Sequence, residues 1–210
     1  MNKESQTNRL AVFIDFENIE ISFRDRERVR KRTDSSLDWG LIFETLADYG
    51  RIVTRRVYAD WQGRFGSRIP ELQSHGVEIV QVTPSKKGKN SSDIRLALDA
   101  LESAIVDRAQ LTHLVLISGD GDFTALVHHL KAYGKEVIGL GISGSSSQVL
   151  VNACDRFLFY DALEKSDEST HTFDLTKARD LLRRTLRNAE DEWVLIAVLK
   201  NKMLARDPSF

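Results

Sequence analysis

The 210-residue chain is poor in cysteine, proline and methionine, with one, three and two respectively. The lone cysteine, Cys154, excludes an internal disulfide framework and fits a reducing compartment. No apolar run approaches the roughly 20 residues of a membrane-spanning helix. The opening stretch MNKESQTNR has no apolar signal core, so the expectation is a cytoplasmic protein with no membrane contact. An excess of either charge is also missing: the formal net charge is −1. The chain as a whole is neither a generally basic nucleic-acid binder nor an acidic tail, and any electrostatic site must be local. What is present is core material, with 41% hydrophobic residues. That amount suits one folded domain, with room for a second small one.

Apolar runs alternate with helical periodicity along the first three quarters of the chain. LAVFIDFEN (10–18) reads as a buried strand ending at Asp15, RIVTRRVYAD (51–60) as a second, VEIVQV (77–82) as a third, HLVLIS (113–118) as a fourth and EVIGLGI (136–142) as a fifth. RFLFYDAL (156–163) suits an edge strand. Helical spacing marks 38–50, 67–76, 91–107 and 123–134, with glycines 50, 76 and 134 as stops. In the 91–107 segment, Ile94, Leu98, Leu101 and Ile105 form one apolar stripe. Strands apolar on both faces and alternating with helices predict a three-layer α/β fold around a parallel sheet. EKSDESTHT (164–172) suits a linker. Beyond it, residues 173–210 read as two helices without a strand, too few to bury a core alone.

The chemistry is carried by acids. VLISGDGDF (115–123) ends a buried strand in Asp120 and Asp122, each beside a glycine. In open α/β sheets ligands bind outside the carboxyl ends of the strands. Asp15 ends the first strand and Asp93 opens the helix before the fourth. If the first and fourth strands are neighbours, the four carboxylates converge. Two like charges about 4 Å apart repel by about 1 kcal/mol in water and about 4 kcal/mol near a protein surface, so such a cluster calls for protons or a cation. An all-oxygen donor set suits Mg²⁺ or Mn²⁺, with no Cys/His group to suggest zinc. Asn18, one turn beyond Asp15, offers a neutral oxygen ligand or a water anchor. Gly119 and Gly121 would let the backbone turn sharply beside a ligand. The plainer alternatives are an N-cap duty for Asp122 and first-turn dipole chemistry for Asp93. Asp15 has no evident structural duty. Asp99 points well away from Asp93 around the helix and stays outside the set.

Basic and aromatic residues offer a rim. Lys86, Lys87 and Lys89 stand just before Asp93, a position suited to holding phosphates next to a scissile one. RDRERVRKR (24–32) would form a second rim or an ordinary solvated loop. Trp61 and Phe65 would stack on bases or lie buried. His128 and His129 read as helix-surface and packing residues, and Ser118 as a hydroxyl supporting the acids or a plain strand end.

Three stretches, VFIDFENIE (12–20), SSDIRLALDAL (91–101) and LVLISGDGDFTALVHHLKAYGKEVIGLG (114–141), together resemble the NYN domains of the LabA-like group within the PIN-like nuclease superfamily. The resemblance covers residues 9–163. It implies a Rossmann-like sheet and a metal-dependent ribonuclease site made of Asp15, Asn18, Asp93, Asp120 and Asp122, and it leaves the role of Asp99 open. The charged stretch around 24–36 and the loop KKGKNSSD depart from the shorter pattern of many relatives. Residues 181–210 resemble the first part of an OST-HTH (LOTUS) winged-helix module, which implies binding of RNA or a protein partner by the complete module. The expected organisation is thus a polar tail (1–8), the NYN/PIN-like domain (9–163), the linker (164–172) and the partial module (173–210). The expected activity is metal-dependent hydrolysis of RNA phosphodiester bonds. Its rivals are a non-catalytic RNA-binding or regulatory module that keeps the acidic pocket, and a phosphatase using Asp15 as nucleophile.

Overall fold

A computed structural model of the chain describes residues 8–31, 35–83, 91–106 and 110–168. The chain divides into two compact units, Met1–Lys165 and Ser166–Phe210. Lys86, Lys87, Lys89 and the expected winged-helix module at 173–210 lie outside the described residues.

Six strands form one sheet: β1 (Arg9–Asp15), β2 (Arg51–Ala59), β3 (Glu78–Gln81), β4 (His113–Ile117), β5 (Glu136–Gly141) and β6 (Arg156–Phe159). All pairings are parallel and the spatial order is β3-β2-β1-β4-β5-β6. The order reverses between β1 and β4, so a crevice opens beyond their carboxyl ends. Their register runs from Leu10 opposite His113 to Ile14 opposite Ile117. Asp15 and Ser118 therefore follow the last paired residues side by side.

Seven α-helices among the described residues cover the two faces: α1 (Phe16–Val29), α2 (Trp39–Ala47), α3 (Ile69–Ser74), α4 (Ser91–Val106), α5 (Thr124–Ala132), α6 (Gln148–Ala153) and α7 (Tyr160–Glu168). The period of two along β1 sorts its side chains between two cores. Leu10, Val12 and Ile14 meet Phe16, Ile19 and Phe23 of α1 and Trp39, Ile42 and Leu46 of α2 on one face. Ala11 and Phe13 meet Leu96, Ala100 and Ala104 of α4, Leu126 and Leu130 of α5 and Leu150 of α6 on the other. This is the expected three-layer α/β architecture. No helix among the described residues is long and apolar enough to cross a membrane.

Several local expectations are corrected. The charged stretch from residue 24 is no loop, because α1 continues through it to Val29. Its Phe23, Glu27 and Ile19 share one buried face, while the charges between them pair with each other and with α7. The edge strand stops at Phe159, and Tyr160 opens α7, which runs into the expected linker as far as Glu168. The Ile94–Leu98–Leu101–Ile105 stripe of α4 lies largely outside the core. Ile94, Leu98 and Ile105 are 61%, 60% and 51% exposed. The face against the sheet is built from the smaller Ala100 and Ala104 with Leu96 and Asp99.

Candidate functional site

The carboxyl edge of β1 is held to that of β4 by short polar contacts. Asp15 is only 3% exposed. Its Oδ1 accepts the Asn18 backbone N–H at 3.3 Å, which makes it the N-cap of α1. Its Oδ2 accepts the Ser118 hydroxyl at 3.1 Å, and Ser118 Oγ in turn accepts the Asp120 N–H at 3.1 Å. Asp15 thus has the structural duty that its sequence context did not suggest. Asn18 Oδ1 accepts the Gly119 N–H at 2.9 Å, so this oxygen ties α1 to the Gly119–Asp122 turn.

Asp120, and not Asp122, is the cap. Asp120 Oδ1 accepts the Asp122 N–H at 2.9 Å and opens the short 3₁₀ turn Gly121–Phe123, while Asp122 lies exposed in that turn. The two glycines serve close packing against the protein's own chain. A Cβ on Gly119 would stand 3.0 Å from Ser146 Cα, and one on Gly121 would stand 2.8 Å from Ser147 Oγ. The Ser147 N–H also donates to the Gly119 carbonyl at 2.8 Å. The serine-rich loop after β5 was not anticipated as a neighbour of the acids. Its sequence signal, GISGSSS, is that of an ordinary turn.

Electrostatics join the acids across the crevice. Burial, and then the charges of Asp93 and Asp120, push the Asp15 carboxyl up to about 7, against the lowering effect of its two hydrogen bonds. Burial, and then Asp120, Asp122 and Glu17, raise Asp93 from its ordinary value. Glu17, missed in the sequence reading, follows Phe16 in the first turn of α1 and accepts the Asp60 N–H at 3.2 Å. None of Asp15, Asp93, Asp120 or Asp122 has a lysine or arginine ion-pair partner among the described residues. The four carboxylates are nonetheless not drawn into a coordination shell: among the described residues no group of three or more His, Cys, Asp or Glu side chains is arranged to hold a metal ion.

The other candidates separate from this edge. Asp99 is buried and accepts the Tyr58 hydroxyl and the Arg95 Nε, both at 2.9 Å; it braces α4 against β2. Trp61 and Phe65 are core residues stacked around Phe16, with ring centroids 5.0 and 5.2 Å away, and are not offered to bases. His128 and His129 are exposed on α5. His129, Asp93 and Asp122 line a cavity of about 330 Å³ between α4 and α5, whose remaining walls are apolar.

Residues 9–164 match the family model of the NYN domain. Among solved structures, the chain is similar to a protein of unknown function from Vibrio parahaemolyticus, at 23% identity and a TM-score of 0.64, over 75% of this chain and 96% of that one. That likeness concerns the fold. No protein with a curated description matches.

Proposed function

The chain belongs to the NYN domain family, and from that premise we propose that it is a metal-dependent ribonuclease that hydrolyses RNA phosphodiester bonds at the β1–β4 crevice. The family points to nuclease-like chemistry on RNA. The observation that carries the proposal is the group of carboxylates at the switch point with no cationic partner among the described residues, in which Asp15 is held up to about 7 by burial and its acidic neighbours. Structural acids that are buried are ordinarily paired. The donor chemistry fits a hard divalent cation, with Asp15, Asp93, Asp120 and Asp122 as the residues that would hold Mg²⁺ or Mn²⁺ by converging on it. Such a cation supplies positive charge at the scissile phosphate and eases attack by water.

The chain's own residues prepare the site. Ser118 and the Asn18 N–H hold the Asp15 carboxylate in one orientation. Asn18 and Ser118 also fix the backbone at Gly119 and Asp120, so the two strand-end acids keep a set separation. Asp15 holds its proton until pH approaches neutrality and gives it up most readily when positive charge arrives. Lys86, Lys87 and Lys89 keep their proposed role on neighbouring phosphates. The LabA-like assignment rests on the motifs at 12–20, 91–101 and 114–141. The RNA- or partner-binding module at 173–210 rests on its sequence pattern.

Asp15→Asn and Asp120→Asn are each expected to abolish Mn²⁺-dependent cleavage of a labelled RNA while leaving the circular dichroism spectrum unchanged. Undiminished cleavage by both variants would sink the assignment. A second reading is a non-catalytic RNA-binding module that keeps the acidic pocket, favoured by the structural hydrogen bonds that Asp15 and Asp120 already make. Salt-sensitive RNA binding without cleavage in any divalent cation would put it in place of the first.

A further inference from the structure

Among the described residues, the outer face of α4 is apolar and has no packing partner. Ile94, Leu98 and Ile105 are more than half exposed, and Val106 is 73% exposed. Their spacing, with Leu101, is 94, 98, 101 and 105, alternating four and three residues. That is the spacing of a coiled-coil seam over less than two heptads, with Leu101 half-buried at its inner edge. The stripe continues into the cavity between α4 and α5, whose apolar walls include Ala97, Leu101, Phe123 and Leu126.

We infer that this face pairs with the same face of a second copy of the chain, α4 lying antiparallel to α4 about a two-fold axis. A two-fold contact must be self-complementary, and the stripe is. In an antiparallel pair, Ile94 of one copy meets Ile105 of the other, and Leu98 meets Leu101. The residues that follow the two leucine-layer flanks, Arg95 and Glu102, then face each other across the seam, giving two opposite-charge pairs per dimer. Arg95 is already anchored by Asp99 at 2.9 Å yet remains 58% exposed, so its guanidinium is oriented and free to take a second carboxylate. Glu102 is exposed. An RNA strand is a poor occupant, because Arg95 is the one basic residue of α4 and the stripe has no aromatic ring for bases to stack on. Asp93 directly precedes the stripe, so the contact would set the candidate sites of the two copies on one helix pair, roughly 20 Å apart along it.

The test is the molar mass of the full 210-residue chain by sedimentation equilibrium across a hundredfold range of concentration. The expected result is a monomer–dimer equilibrium. Leu98→Asp should give a monomer throughout with an unchanged circular dichroism spectrum, since its side chain is 60% exposed. Glu102→Arg should weaken the dimer by about tenfold, and Glu102→Asp by much less. A wild-type chain that stays monomeric at the highest concentration overturns the proposal, as does a dimer that survives both Leu98→Asp and Glu102→Arg. RNA cleavage plays no part in the readout, so the outcome stands apart from that of the ribonuclease proposal.

Discussion

Two groups of charges lie near the carboxyl edge of the sheet, and they are built oppositely. At the α1–α7 corner, Arg26 reaches Glu27 at 2.7 Å, Asp161 at 3.0 Å and Glu164 at 2.7 Å, while Arg30 adds a contact to Asp161 at 3.3 Å. The Arg26 guanidinium also stacks over Phe23 and Tyr160. Each acid there has a partner of opposite sign, and Asp161 further accepts the Ser143 N–H at 2.8 Å. In the β1–β4 crevice, Asp15 and Asp93 face other acids and are displaced upward by them. The first group is complete and holds α7 onto the fold. The second is incomplete, and stability does not explain it, since every like charge added there raises the cost of ionising the rest. Charge alone is therefore a poor guide to function; what separates the two corners is whether a countercharge stands among the described residues.

The contrast can be broken or sharpened by substitution. The largest loss of stability is expected at the paired corner. Arg26→Met leaves Glu27 and Asp161 short of a partner and should cost about 3 kcal/mol, read as a lower urea midpoint. A loss below about 0.5 kcal/mol would show that the corner is ordinary surface. In the crevice the sign reverses. The Asp15 carboxyl is raised in the folded state, so its favourable contribution is present below pH 4 and is lost as pH rises through about 7. Asp15→Asn keeps a competent cap and should therefore be more stable than wild type at pH 8, by at most about 4 kcal/mol, and so melt higher, with no difference near pH 4. Equal melting temperatures at pH 8 would mean that the burial and repulsion are relieved in solution. The smallest effect separates the acids of α4. Asp99→Asn, which loses its ion pair with Arg95, should lower stability by about 1 kcal/mol and leave RNA cleavage unchanged, whereas Asp93→Asn should lower cleavage and leave stability nearly unaltered. The reverse pattern would exchange the two residues' roles.

Much of the fold was legible because its signals are local. Five of the six strands stand as apolar runs, and Gly134, with φ of +75°, ends α5 where its sequence position marks a stop. The candidate acids were legible because carboxylates at the ends of apolar strands are out of place. Three things were not legible. The cap duty fell to Asp120 and Asp15 rather than Asp122, because capping depends on which carboxylate the backbone turns toward its own N–H groups. The helix through 24–29 was hidden, because its charges are compensated by residues more than a hundred positions away. The buried face of α4 was not readable, because the larger aliphatics mark a periodic stripe without saying which side the sheet takes.

By itself, then, the sequence determined the kinds of elements, their order and the four acids at their ends, since periodicity and polarity act over a few residues. Only the tertiary structure decided that β1 lies beside β4, that Asp15 and Asp120 share Ser118, that Asp99 belongs to Tyr58 and Arg95, and that the apolar stripe of α4 faces outward. Each of these depends on contacts between distant parts of the chain. They are decided by which packing of the whole sheet buries the most apolar surface while leaving its polar groups bonded.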